Sequence, residues 1–189
     1  MSTTARRPET WVSVDVETAG PNPGSYSLLS IGACLVDDPE CGFYVELVPE
    51  HQAVTPGALE ITGLNMDELA ATGAAPAAAM ERFAQWIEDV TPAGHTPVFV
   101  AFNAPFDWMF VADYFDRHLG RNPFGHVALD TKAYFMGKFG TAFADSSWSR
   151  LSPRYLGGKA LDHNALADAI DQAALFRAIV ADDAPRHNQ

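Results

Sequence analysis

The order of apolar patterns along the chain predicts an α/β sandwich built around a mixed sheet. Strand-like segments come first, helical and strand-like segments alternate after them, and one late strand is apolar on both faces. The 189 residues, 48% hydrophobic and 19% charged, suit one ordinary domain with a sizeable core. The expected organisation is a flexible N-terminus over 1–10, a single domain over 11–181 and a C-terminal tail over 182–189.

Residues 11–17, WVSVDVE, alternate as a first strand, with Trp11, Ser13, Asp15 and Glu17 on one face and Val12, Val14 and Val16 on the other. YSLLSIGACLVDD and GFYVELV are two more strands joined by the turn-rich DDPECG, which makes a three-strand antiparallel meander. TPGALEITGLNMDEL mixes Pro, Gly and Asn with short helical pieces and is expected to be an irregular loop with one or two helical turns. Pro76 opens a helix in which Met80, Phe83, Ala84, Ile87 and Val90 recur at three- and four-residue steps. TPVFVAFN is the doubly apolar strand, placed in the middle of the sheet, and APFDWMFVADYFDRHL is a helix packed on it.

HVALDT is a short fifth strand near an edge. From Lys132 to Gly158, Ser, Gly and Pro break any period, so short helices and loops are expected there. A high-propensity helix from Asn164 to about Ala181 closes the domain.

Composition excludes several classes. The N-terminus lacks an apolar signal core and no segment approaches 18 uninterrupted apolar residues, so no membrane partner and a soluble, cytoplasmic setting are expected. Cys34 and Cys41 lack metal spacing, and no disulfide is expected. The net charge of −12 is unevenly spread. From Arg117 to Lys159, seven basic residues stand against two acidic ones, while the rest of the chain carries five against 22. One basic segment on an acidic chain is either a solvated face or a phosphate contact.

Four acids do not fit the core around them. Asp15 and Glu17 lie about 6.5 Å apart on one face of the first strand. Asp107 sits one turn into the helix after the doubly apolar strand, among Phe106, Trp108, Met109 and Phe110, and Asp168 shares a helical row with Leu175 and Ile179. Without a nearby Lys or Arg, such acids resist ionisation, and hard divalent cations are one remedy. An arginine reaching across the fold is another. His163 adds a titratable group at the start of the helix that carries Asp168.

DVETAG, NAPFDWMF and HNALADA resemble, in this order, the three motifs of the DnaQ-like superfamily of 3′-5′ exonucleases, which includes the RNase T and proofreading types. The His-x4-Asp spacing of the last is that of the DEDDh branch, and the motifs span roughly 160 residues. The resemblance implies an RNase H-like three-layer fold with a central five-stranded sheet and helices on both faces. It further implies that Asp15, Glu17, Asp107 and Asp168 bind two divalent cations, Mg²⁺ or Mn²⁺, with Asp15 shared, and that His163 is the general base.

By the same resemblance, Thr18, Ala19, Gly63, Leu64, Asn103 and Phe106 contact the 3′ nucleotide of a single-stranded nucleic acid, Phe106 as a stacking group. Ala19 stands where many relatives have a second Thr. A homodimer lending basic residues from the 117–159 segment is left open. Two alternatives stand beside the exonuclease: a hydrolase of very short oligonucleotides, favoured by the scarcity of Lys, and a catalytically silent binding module.

Overall fold

The computed structural model describes residues 7–184. A five-stranded sheet of order β3-β2-β1-β4-β5 forms from β1 (Glu9–Thr18), β2 (Leu28–Leu35), β3 (Gly42–Glu46), β4 (Thr96–Ala101) and β5 (Ala128–Asp130). The first three strands are antiparallel, and β4 and β5 run parallel to β1. The middle of the sheet is therefore β1, with the doubly apolar β4 one position to its side. β1 begins at Glu9, inside the segment expected to be a flexible N-terminus, because Glu9 and Thr10 pair with Thr96 and Pro97 of β4. Residues 1–6 of that segment, and 185–189 of the expected tail, lie outside the described residues.

Helices cover both faces. α1 (Ala58–Thr62) and α2 (Met66–Thr72) are the two short turns expected between β3 and α3 (Pro76–Val90). α3 and α4 (Ala104–Leu119) bury Met80, Phe83, Ile87, Phe110 and Phe115 against Val12, Val14 and Val16. On the other face, α7 (Ala165–Ala181) packs on the side of β1 that carries Trp11 and Ser13. The ring of Trp11 meets Phe176 edge-on at 5.2 Å, and the Ser13 hydroxyl donates to the Ala169 carbonyl at 2.8 Å.

The weakly patterned region holds α5 (Thr131–Phe139), a 3-10 turn (Phe143–Ser146) and α6 (Trp148–Tyr155), which pack through Phe135, Phe139 and Leu151 against Leu175 and Ile179. The C-terminal tail does not start free. Asp182 caps α7 and accepts hydrogen bonds from Arg154 and the Tyr155 hydroxyl. Among the described residues, no helix is long and apolar enough to cross a membrane.

Gly32 sets how closely α7 approaches the sheet. It pairs with Asp15 across β1 and β2, and a Cβ on it would lie 2.0–2.2 Å from the backbone of Ala165 and Leu166. The first turn of α7 thus rests directly on the sheet, level with Asp15.

Candidate active site

Three elements deliver the acids to one place. The parallel pairing of β1 with β4 ends at Ser13, so the last part of β1 runs beyond its neighbour and opens a crevice at the C-terminal end of the parallel strands. α4 enters this crevice directly after β4. Asp107, in its first turn, accepts a hydrogen bond from the Val16 amide at 3.1 Å, a donor that has no strand partner there. Asp168, in the first turn of α7, arrives from the opposite face.

The Asp168 carboxylate also organises the loop before its own helix. One oxygen accepts from the Asp162 amide at 2.8 Å and the other from the His163 amide at 3.0 Å. These bonds support His163 in a left-handed conformation, φ 54°, that few non-glycine residues adopt. The exposed His163 side chain then stands beside Glu17 and Asp168, and one ligand atom from each of the three lies within 4.8 Å of the others.

The electrostatics follow from burial first and from crowding second. Burial, followed by the charges of Asp107, Glu17 and Asp168, pushes the Asp15 carboxyl well above its ordinary range, against the pull of a hydrogen bond from Gln172. Burial and then Asp168 raise Glu17 to about 7. Asp107 rises chiefly through burial, with Glu17 and Asp130 adding to it, and burial also raises Asp168. Among the described residues, none of the four carboxylates forms a salt bridge with Lys or Arg. Of the two remedies open to the sequence, an arginine across the fold is not used among the described residues. A buried set of hard oxygen donors with excess negative charge fits a divalent cation of the Mg²⁺ or Mn²⁺ type.

The residues expected around the 3′ nucleotide divide. Leu64 packs in one apolar cluster with Ala19, Leu29 and Leu69, so the 62–64 loop does lie against the end of β1. Gly63 is exposed, at φ 68°, where it caps α1. Ala19, by contrast, is fully buried, its amide bonded to the Ser27 carbonyl and its carbonyl to the Thr55 amide. Its backbone is committed to the fold. Thr18 is 8% exposed and its hydroxyl donates to the Gly20 carbonyl. Asn103 is exposed at the start of α4, and Phe106 is half-buried against Phe110 at 5.6 Å.

Several residues at the site escaped the sequence reading. Gln172 lies one turn after Asp168, and its amide donates to Asp15 at 2.6 Å while accepting from the Phe102 amide at 2.8 Å. Asp130, at the end of β5, ties the first residue of α4 to α5 by accepting from the Ala104 and Ala133 amides, both at 2.7 Å. Lys159 reaches Asp171 at 2.7 Å and so anchors the far side of the His163 loop on α7. The spacing of Gln172 from Asp168 and the capping position of Asp130 before α5 were the available local signals; the other contacts depend on long-range packing.

The basic segment is mostly spoken for. Arg117 pairs with Glu50 and Asp113, Arg121 with Glu81 and Glu88, Arg154 with Asp182, and Lys159 with Asp162 and Asp171. Lys138 donates to the Ile179 and Val180 carbonyls near the end of α7, where helix carbonyls favour a cation. Only Lys132 and Arg150 of this segment lack a partner of either kind among the described residues.

This architecture matches solved nucleases. Exonuclease I of E. coli, in a complex with a dT13 oligonucleotide, superposes with a TM-score of 0.66 at 20% identity, covering 91% of this chain and 40% of that one. Cell-death related nuclease 4 gives 0.70 at 14% identity, covering 92% and 64%. The chain therefore spans about two fifths of exonuclease I, and the shared part is an RNase H-like fold.

Two curated sequences are similar over most of their length. The 3′-5′ DNA exonuclease Cap18 of Escherichia coli is 44% identical over 171 residues, 90% of this chain and 91% of that protein. Ribonuclease T of Histophilus somni (strain 129Pt) is 29% identical over 178 residues, 87% and 80%. Residues 12–176, from the second residue of the opening alternation to the middle of α7, match the exonuclease family RNase_T, and the chain belongs to that family.

Proposed function

We propose that the chain is a metal-dependent 3′-5′ exonuclease that hydrolyses single-stranded DNA and releases nucleoside 5′-monophosphates. The observation that carries the reading is the convergence of Asp15, Glu17, Asp107 and Asp168 from three elements, mutually repelling and, among the described residues, without a salt bridge to Lys or Arg. Asp15, Glu17, Asp107 and Asp168 would hold two divalent cations, which would supply Lewis-acid stabilisation of the attacking and leaving oxygens of an in-line displacement. Asp15 feels the charges of Asp107, Glu17 and Asp168 alike, so it would be available as a ligand to either ion.

His163 takes the proton from the attacking water, as an exposed imidazole beside Glu17 and Asp168 is placed to do. Gln172 holds Asp15 in one orientation, and the Asp168 carboxylate holds the loop that presents His163. Leu64 with Gly63, Asn103 and Phe106 border the place of the terminal nucleotide, whereas Ala19 supports it from within the core.

The name of the 44% identical relative favours DNA. RNA is the second reading, because the 29% identical relative is a ribonuclease. Few unpaired cations remain for a phosphate backbone, so a shallow salt dependence is expected. The test is digestion of 5′-labelled DNA and RNA twenty-mers with Mg²⁺ or Mn²⁺. A descending ladder with mononucleotide product, abolished by EDTA and faster on DNA, is expected. Intact oligonucleotides together with no calorimetric binding of Mn²⁺ would reject the assignment.

A further inference from the structure

We propose that Lys132 and Phe143 form a ledge beside the acid cluster that holds the strand upstream of the scissile bond, Phe143 by stacking on a base and Lys132 by meeting a phosphate. Four large apolar residues are exposed among those described, Val54, Ile61, Val127 and Phe143, and Phe143 is the one aromatic. It is 59% exposed, on the 3-10 turn between α5 and α6. The Lys132 ammonium lies 4.2 Å from its ring centroid and 5.9 Å from that of Phe102, and it donates to Asn103 Oδ1 at 3.5 Å. Lys132 covers one face of the Phe143 ring, and the exposure leaves the rest open to a base.

The position ties the ledge to the site. The Phe102 amide is bonded to Gln172, which holds Asp15, and Asn103 opens the helix that carries Asp107. Charge complementarity selects the occupant. Four of the five other cations of the basic segment that have partners are tied to carboxylates and Lys138 to helix carbonyls, whereas among the described residues Lys132 meets two rings and a side-chain amide and forms no salt bridge. An ammonium over an aromatic ring, with no anion of its own, offers a nucleotide both a phosphate partner and a stacking surface. Stacking of this kind also compensates for the small number of cations available to a strand.

The inference rests on the exonuclease reading, and its test separates the two. Binding of a 5′-fluorescein DNA ten-mer is followed by anisotropy in an Asp15→Asn background at several salt concentrations. Phe143→Ala is expected to weaken binding about 5-fold or more, with Phe143→Trp restoring it and Phe143→Leu not. Lys132→Gln is expected to reduce the slope of log affinity against log salt by about 0.7, the loss of one phosphate contact on a single strand. In the otherwise native enzyme, the Phe143→Ala penalty on kcat/KM for the ten-mer should exceed that for a dinucleotide about 5-fold.

Binding by Phe143→Ala within twofold of its parent, equal penalties on both substrates, or no ten-mer binding by the parent at low salt would each overturn the ledge. Failure of the native enzyme to cleave either substrate rejects the exonuclease reading instead, and the anisotropy series still decides the ledge.

Discussion

The Gln172 side chain joins Asp15 to the end of β4, donating to the carboxylate at 2.6 Å and accepting the Phe102 amide at 2.8 Å. One amide thus aims a proposed metal ligand and satisfies a backbone donor at the crevice. Gln172→Ala removes both contacts, leaves the Phe102 amide without its partner and lets the Asp15 carboxyl rise further. The expected cost is about 1–3 kcal/mol of stability. The half-saturating Mg²⁺ concentration for cleavage should also rise at least tenfold, read from a metal titration of the rate.

Asp15 is the most crowded of the acids, and removing its charge should separate stability from activity. In Asp15→Asn the side-chain oxygen still accepts from Gln172, while the repulsion with Asp107, Glu17 and Asp168 is gone. The metal-free variant is expected to melt above the parent at pH 7 in EDTA. Cleavage should fall by about a thousandfold or more, since the proposed shared ligand is lost.

Glu17 supplies a pH dependence with a definite sign. Its ordinary value is 4.5 and burial raises it to about 7 in the folded chain. Between these values the folded protein keeps a proton that the unfolded chain has released, so stability falls as pH rises from 4.5 to 7. The loss is on the order of 3 kcal/mol. Denaturant melts of the metal-free protein should show this decline, Glu17→Gln should flatten it, and saturating Mn²⁺ should reverse it, because the ion favours the ionised carboxylate.

Gly32 is where the sheet admits α7. Any side chain there meets the Ala165 and Leu166 backbone at 2.0–2.2 Å, and a helix backbone cannot give way as a flexible side chain can. Gly32→Ala should therefore cost about 1–3 kcal/mol and push Asp168 away from Asp15, with activity falling more steeply than stability. Chemical denaturation at constant m-value, set beside kcat, measures the two effects.

The alternation WVSVDVE is a clear sequence signal because a strand's period of two fixes which side chains share a face, and Asp15 and Glu17 emerge together with Ser13 against α7. The helix Pro76–Val90 is equally clear from its apolar spacing and its proline start. The start of β1 at Glu9 was missed because polar Glu9 and Thr10 pair with β4 through backbone groups, which carry no side-chain signature. Ala19 was placed against the nucleotide by its motif, yet burial and two backbone bonds turn it inward. Gln172, Asp130 and Lys132 stayed hidden for another reason. The partners that tie them to the site, Asp15, Ala104 and Asn103, lie 157, 26 and 29 residues away, and neither the one-turn spacing of Gln172 from Asp168 nor the capping of α5 by Asp130 reveals those pairings.

His163 belongs to two arrangements at once, and its replacement distinguishes them. Its ring lies within 4.8 Å of ligand atoms of Glu17 and Asp168, which is compatible with a metal ligand, yet it is exposed while Asp168 is 2% exposed, as suits a group that meets water and substrate. The left-handed backbone of residue 163 is held by the Asp168 carboxylate through the amide, so His163→Ala keeps that hydrogen bond. Its fold and carboxylate cluster should survive. A general base contributes about 10²–10⁴ in kcat, and the proposed role of His163 predicts a loss of that size. Calorimetric Mn²⁺ affinity should then change by less than about threefold while kcat falls within that range. A parallel collapse of metal affinity would instead make His163 a ligand, and the proton would have to leave the attacking water by another route.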